Sequence, residues 1–168
     1  TLADYVAWVK ANPQQASFGS PAPGSLPHFF GAMIRRGMGV DMQHIAYKGG
    51  APMLNDLVGG QIPAGIDTHI ELLELDRSGK IRVLATSGAN RSPLLPNVPT
   101  FRETGFKDIE GSGWYAFYAP AKTPVAVIDA LNKAVVAVTM MPEVRERLTK
   151  MGVEVQASAR GRADDQFL

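Results

Sequence analysis

The residues from Ser17 to His28 could bind an anion without using a charged side chain. An apolar, strand-like start leads into a loop of Gly, Ser, Pro and Ala, and a helix is predicted to begin near Leu26. Small residues leave backbone N–H groups uncovered, and the helix directs its unpaired N–H groups and the positive end of its dipole at the loop. Ser25 is a favourable N-cap. A carboxylate would fit here, although an ordinary strand–helix connection also uses Gly for its turn.

Two further loops carry residue types suited to ligand binding. The segment Tyr47–Gly50 offers a phenol, an ammonium and two flexible backbone positions before a predicted helix. Its Gly N–H groups could bind a second carboxylate, and Lys48 could attract one, unless it is simply a solvated Lys beside a helix start. Asp67 follows an apolar run and could accept from a ligand amine or hydroxyl, or order its own loop. Its neighbour Thr68 could cap the next helix.

Helices and strands alternate along the first half of the chain, and this alternation predicts where the loops lie. Short links between such elements are typical of βα units and indicate an α/β fold with a mostly parallel sheet. Ligands bind such sheets at the carboxyl ends of the strands, so the three loops are expected to converge at one edge. The apolar periodicity predicts helices over Thr1–Ala11, Leu26–Arg36, Ala51–Val58 and His69–Arg77, and strands from Ser17 and over Met42–Tyr47, Ile62–Ile66 and Ile81–Ala85.

The pattern changes after Ala85. A polar, proline-rich stretch over Gly88–Pro99 is expected to be an ordered loop or a linker. The remaining predicted elements are a short helix at Thr100–Thr104, a strand at Trp114–Tyr118, a helix capped by Thr123 and running to about Thr139, a helix from Pro142 to Lys150, and a final strand at Val153–Gln156.

Composition excludes several classes of function. The 168 residues are 45% hydrophobic and 20% charged, which is typical of a globular protein. A net charge of +1 argues against a nucleic-acid surface. No apolar run approaches the ~20 residues of a membrane helix, and the first residues predict a helix, not a signal peptide. The chain has no Cys, and its three His lack close metal-ligand spacing, so we expect no metal site and no cofactor.

An enzymatic alternative rests on Ser20 or Ser25 together with His28 and Asp67, which supply the residue types of a hydrolytic triad. The sequence has no Gly-x-Ser-x-Gly nucleophile elbow, so a small serine hydrolase is the weaker hypothesis. His28 could face the loop, but a packed or surface His is the favoured interpretation. We therefore predict that the chain has no catalytic residues.

Five segments of the chain, Gly19–His28, Tyr47–Pro52, Asp67, Arg91–Thr100 and Trp114–Pro124, carry a resemblance to a known family. They resemble the Bug family, the TctC-like solute receptors of tripartite tricarboxylate transporters. The resemblance extends over essentially the whole chain, in the same order and spacing. It implies a two-lobed, type II periplasmic-binding-protein fold that captures a dicarboxylate, amino acid or aromatic acid in the cleft between its lobes.

The resemblance also implies a set of ligand-binding residues. The carboxylate-binding loop of the family's second lobe matches Gly19–Ser25, and its acidic strand-end position matches Asp67. Family members frequently have Asn where Thr68 stands, which leaves that contact open. Together with the candidates from residue type, the predicted ligand-binding residues are Gly19, Ser20, Ala22, Gly24, Ser25, Tyr47, Gly49, Asp67 and Thr68.

By this resemblance residues 1–113 are the second ligand-binding lobe. Residues 114–168 are the crossover strand and C-terminal helices of the first lobe, whose N-terminal half and last helix are expected to be missing. The implied location is the periplasm, and the implied partners are a small carboxylate and the membrane permease subunits, with no nucleic acid. The incomplete part is expected either to pack against another copy of the chain or to be poorly ordered, because its apolar surfaces lack their partners. The ligand-sensing domain of a transcription regulator, which is built alike, is the main alternative.

Overall fold

A computed structural model describes residues 1–113 and 117–153 of the chain. The chain forms two compact units, Thr1–Gly113 and Trp114–Leu168, and each is described by itself. We call them unit 1 and unit 2. Their assignment to two receptor lobes stays a prediction.

Unit 1 alternates helices with short strands, as predicted. Its elements are α1 (Leu2–Ala11), a 3-10 turn (Pro13–Gln15), β1 (Ser17–Ser20), α2 (Leu26–Met38), β2 (Gln43–Ala46), α3 (Gly50–Val58) and α4 (His69–Arg77). The strands β1 and β2 pair in parallel, with Phe18 opposite His44 and Ser20 opposite Ala46. Because both strands run the same way, the loops after Ser20 and Ala46 leave the sheet at the same edge.

Neither of the two other predicted strands of unit 1 forms, and the first of them is reduced to a single bridge. Gly19 donates to the Ala64 carbonyl and accepts from the Ile66 N–H, which forms one parallel bridge to Gly65. The prediction of a strand over Ile62–Ile66 is wrong, because the pairing of this segment with β1 is limited to that bridge. Ile81–Ala85 is not a strand either, since the Val83 N–H donates to Asp76 Oδ1 at 2.8 Å.

The core of unit 1 lies between its helices and the strand β1. Phe18, which is 2% exposed, packs against Gly31 of α2, where any side chain would collide with the aromatic ring. This close approach is what seats α2 on β1. The main cluster of buried residues comprises Leu2, Val9, Ala16, Phe18, Phe30, Ile34, Met38, Met42 and Ile109, and a smaller one comprises Met53, Leu54 and Ile62.

Two element boundaries differ from the sequence prediction. The helix α2 continues through Gly37 and ends at Gly39, whose φ of 64° provides the left-handed C-terminal residue. The segment Thr100–Thr104 forms turns and not a helix, because Gly105, with a φ of 99°, turns the chain after one hydrogen-bonded turn. The first helix is as predicted, with Thr1 as its N-cap in a capping box with Asp4.

Unit 2 contains α5 (Val125–Thr139) and α6 (Pro142–Lys150). Thr123 does not cap α5 as predicted, because Pro124 occupies the cap position without a side-chain hydrogen bond. Phe117 and Tyr118 are exposed and have no strand structure. The remainder of the predicted strand, Trp114–Ala116, and all of the predicted final strand except Val153 lie outside the described residues.

Among the helices that the structure describes, none alone has the length and apolar composition to cross a membrane. Taken together, α5 and α6 meet that test of length and composition, with a bend of 73° between them.

Candidate functional site

The first two candidate loops are joined by backbone hydrogen bonds. The Tyr47 N–H donates to the Ser20 carbonyl at 3.0 Å, and the Gly49 N–H donates to the Pro21 carbonyl at 2.7 Å. These bonds continue the pairing of β1 and β2 beyond the strands. The two loops therefore lie together at one edge of the sheet, as the alternation of strands and helices predicts.

The third loop reaches the same edge through Asp67. A Cβ built on Gly50, the first residue of α3, would lie only 2.7 Å from Asp67 Oδ2. The carboxylate thus lies against the start of α3, whose N-cap, Gly49, provides no side-chain hydrogen bond. A helix N-terminus favours negative charge.

Only one oxygen of Asp67 has a partner. Oδ1 accepts from the Thr68 N–H at 2.8 Å, whereas Oδ2 is buried and has no hydrogen bond among the residues that the structure describes. Burial raises the pKa of this carboxyl group, and the Thr68 N–H opposes that change. Buried polar atoms are nearly always paired, so the bare oxygen is a reason to look for a ligand group.

The loop from Gly19 to Ser25 is held by its own side chains. Ser25 is the N-cap of α2, and its hydroxyl accepts from the His28 N–H and donates to the Ala22 carbonyl at 2.6 Å. Gly24 has a φ of 72°, and its N–H donates to Nδ1 of His28 at 3.0 Å. The exposed part of the loop, from Ala22 to Gly24, faces solvent.

Several N–H groups proposed to hold a carboxylate already have partners. Those of Gly19, Gly24 and Gly49 donate to Ala64, His28 and Pro21 respectively. A ligand that used the Gly24 or Gly49 N–H would have to replace an existing acceptor. The first turns of α2 and α3 add the unpaired N–H groups that every helix start has.

Tyr47 is held by a neighbouring side chain, whereas Thr68 is exposed. The Tyr47 hydroxyl donates to Asp56 Oδ2 at 2.8 Å, and burial together with this hydrogen bond raises the pKa of Tyr47 to about 12. The Tyr47 ring also lies 3.1 Å from where a Gly19 Cβ would stand, so a larger residue does not fit at Gly19. Thr68 is the N-cap of α4, is exposed, and makes no capping hydrogen bond through its side chain.

His44 is a site residue that the sequence reasoning missed. Its Nε2 lies 2.7 Å from the hydroxyl of Ser20, and its ring stacks on His28 with 4.0 Å between ring centroids. On its other side lies Phe18, with 5.0 Å between centroids. The register of parallel strands could have indicated this contact, since alternate residues of β1 and β2 share a face.

The hydrolytic triad is not assembled. Ser20 contacts His44 and not His28, and Ser20 is buried. Ser25 and His28 are engaged with Ala22 and Gly24. Within residues 1–113 and 117–153 no group of three His, Asp or Glu side chains is placed to hold a metal ion.

A separate open, mainly apolar groove of about 580 Å³ lies in unit 1. It is lined by the start of α1, by residues 82–84 and 97–99, and by Thr104 and Phe106. None of the predicted ligand-binding residues lines this groove.

Parallel pairing with loops gathered at one strand edge is an α/β arrangement. The solved structures with similar folds show that it is of the periplasmic-binding-protein class. A periplasmic binding protein, BugD, superposes with a TM-score of 0.84 at 33% identity, over 92% of this chain and 52% of its own. An R. palustris protein solved with adipate superposes with a TM-score of 0.84 at 31% identity, over 92% of this chain and 52% of its own. MatC from Rhodopseudomonas palustris, with bound malate, superposes with a TM-score of 0.80 at 27% identity, over 90% of this chain and 51% of its own.

The chain belongs to the tripartite tricarboxylate transporter family of receptors, TctC, whose family model matches residues 1–165. The resemblance and fold class predicted from the sequence are thereby confirmed. Among curated relatives, a UPF0065 protein of Agrobacterium vitis is 32% identical over 90% of this chain and 44% of its own length. BugT of Bordetella pertussis is 36% identical over 76% of this chain and 39% of its own length. The chain spans about half the length of the curated relatives it matches.

Proposed function

We propose that this chain contributes to an extracytoplasmic receptor that captures a small carboxylate for a tripartite tricarboxylate transporter. Membership of the TctC family supports this function, as do structural neighbours solved with adipate and malate. The observation that carries the proposal is the meeting of three loops beside the N-termini of α2 and α3. In this proposal residues 1–113 are the second lobe and residues 114–168 belong to the first. The receptor lies in the periplasm, and its partners are the membrane permease subunits.

The site suits a carboxylate because it offers backbone donors and few competing charges. The N-termini of α2 and α3 both open at this edge, and helix N-termini bind anions through their N–H groups and dipole. Lys48 follows directly after Tyr47 and is exposed, so it adds a positive charge without occupying the site.

Asp67 adds a requirement on the ligand. Its bare Oδ2 can accept a hydrogen bond from a hydroxyl or amine, but a ligand carboxylate cannot donate one. A ligand that carries such a group beside its carboxylate, as malate does, is therefore favoured over adipate. Asp67→Ala should weaken malate binding more than adipate binding, and equal weakening of both would show that Asp67 orders its loop and does not select the ligand.

The loop itself is tested by Gly24→Val. At a φ of 72° a β-branched residue is strained, and its side chain would cover the exposed loop face. Losing one charge-assisted hydrogen bond costs about 1.5–3 kcal/mol, so the affinity for malate should fall by roughly ten- to a hundred-fold. The titration is followed by NMR, which detects weak binding.

Gly79→Val is the matched control for that variant. Gly79 has a φ of 71° and open space around its Cα, but it lies at the other end of α4. Both substitutions carry the same backbone strain, and only Gly24→Val should reduce malate binding. An unchanged affinity in folded Gly24→Val, or an equal loss in both variants, would contradict the proposed site.

A further inference from the structure

Two stacked imidazoles hold the two ends of the Gly19–Ser25 loop. His44, on β2, contacts the hydroxyl of Ser20 at the start of the loop, at 2.7 Å. His28, in the first turn of α2, accepts from the N–H of Gly24 near the end of the loop, at 3.0 Å. The rings lie face to face, with 4.0 Å between centroids and 15° between planes. One ring pair thus connects both strands, the loop and the helix.

The hydrogen bond to Gly24 defines the protonation state of His28. A backbone N–H can only donate, so Nδ1 of His28 must be an acceptor, and the ring is neutral with its proton on Nε2. When His28 takes up a second proton, Nδ1 becomes a donor and faces another donor. The Gly24 N–H then has no acceptor in this arrangement.

The stacking makes a second charge unfavourable. If both rings were protonated, two like charges would lie about 4 Å apart. The surroundings offer little compensation. β1 and the loop have no titratable side chain, β2 contributes only His44, and Arg35 and Arg36 lie at the far end of α2. Tyr47 and Lys48 follow β2, and of these only Lys48 is charged at neutral pH.

We propose that neutral His28, stacked on His44, is the positioning residue of the Gly19–Ser25 loop, and that its protonation releases the loop and weakens carboxylate binding. The consequence for ligand binding rests on the proposed function, whereas the release of the loop does not. We call the stacked pair of His28 and His44 the histidine clamp. A receptor with this clamp responds to acidification within the range where histidines titrate.

The environment of His44 is consistent with a neutral pair. Burial, and then the positive charge that His28 would bring, lower the pKa of His44. The ring at the centre of the stack, between Phe18 and His28, therefore resists protonation, and His28 is the ring whose change of state breaks a hydrogen bond.

The direct test is a pH titration of the ¹⁵N-labelled chain by NMR, without ligand. While the ring is neutral, a coupling through the hydrogen bond should connect the Gly24 nitrogen to Nδ1 of His28, and this coupling should be lost when the ring signals show that His28 is protonated. The Gly24 amide shift should move with the same midpoint as the His28 ring signals. A Gly24 amide that stays unchanged while the His28 ring titrates would overturn the clamp.

Two variants separate positioning from packing. In His28→Asn the amide oxygen can accept from Gly24 but does not titrate, so the loop should keep its neutral-pH signals down to about pH 6. His28→Phe keeps a stacked ring but has no acceptor, so the Gly24 amide should resemble the low-pH state at every pH. His69→Asn, which removes the third histidine, should titrate like the unmodified chain. If His28→Asn behaves like His28→Phe, the acceptor is not what positions the loop.

The effect on binding is measured with malate at the same pH values. The affinity should fall by about ten-fold or more between pH 8 and pH 6, as expected for one lost loop hydrogen bond, and His28→Asn should abolish this change. An affinity that rises on acidification would show that a protonated His28 binds the carboxylate directly, which contradicts the clamp. If malate binds at neither pH, the proposed ligand fails, and the clamp is judged by the Gly24 signals alone.

Discussion

Two helices of similar length, α2 in unit 1 and α5 in unit 2, have opposite environments. The helix α2 buries Phe30, Gly31, Ile34 and Met38, whereas α5 buries no residue although its sequence is rich in Val, Ala and Leu. The difference is that α2 has β1 and the ring of Phe18 to pack on, while α5 packs on α6 in the described part of unit 2. Apolar periodicity predicts that a segment is helical, but the apolar side chains of that helix are buried only where a second surface packs on them.

This difference also separates the roles of the units. All nine predicted ligand-binding residues lie in unit 1, on loops that its core supports. Unit 2 exposes a face with Val127 (46% exposed), Leu131 (54%) and Val138 (47%). Such a face is typical of a surface that another part of an assembly covers.

The largest expected effect compares one apolar truncation in each unit. Phe18→Ala should cost about 3–5 kcal/mol of unfolding free energy, because it empties the contact between β1 and α2. Leu131→Ala in α5 should change stability by no more than about 0.5 kcal/mol. Urea unfolding of the whole chain, followed by circular dichroism, measures both. Equal losses would show that α5 is as well supported as α2.

Self-association is the next effect in size. The exposed face of α5 should make the 168-residue chain associate as its concentration rises, and Leu131→Glu should shift the equilibrium towards monomer. Lys133→Glu, on the other side of α5, is the control for added negative charge. Sedimentation velocity over a range of concentrations reads out the result. A monomer at every concentration would show that this face needs no partner.

The smallest effect concerns Asp67 and pH. The raised pKa of Asp67 means that the folded state holds the proton more tightly than the unfolded chain does, so the contribution of Asp67 to stability falls as pH rises above the ordinary value of 3.8. The difference in unfolding free energy between the unmodified chain and Asp67→Asn should therefore decrease over that range. An increase would show that the N-terminus of α3 stabilises the carboxylate by more than burial costs it.

Local signals explain which predictions were accurate. The bounds of α4 and α6 are those predicted, since Ser78-Gly79 ends the first and Pro142 begins the second. The strand prediction failed at Ile62–Ile66 and Ile81–Ala85, although Pro63 could have warned of the first. The strand at Ile81–Ala85 fails because Asp76 accepts a hydrogen bond from the Val83 N–H, a contact that depends on the fold and not on the local sequence pattern.

The candidate site divides in the same way. The convergence of its loops follows from βα connectivity, and the structure brings the loops together. The acceptors that occupy the Gly24 and Gly49 N–H groups, His28 and the Pro21 carbonyl, depend on how the loops pack, and no sequence periodicity encodes them. The contact of His44 with Ser20 follows instead from the register of the two strands.

The central claim is that the loops at one strand edge of unit 1 bind a carboxylate. It is tested most directly by titrating malate into the ¹⁵N-labelled chain at about pH 8, where histidines are neutral, and mapping the amide shifts. We expect the largest shifts on residues 19–25, 47–50 and 67–68, with little change in α5 and α6. Shifts concentrated at the groove beside Thr1 and Phe106, or none at millimolar malate in a folded chain, would contradict it.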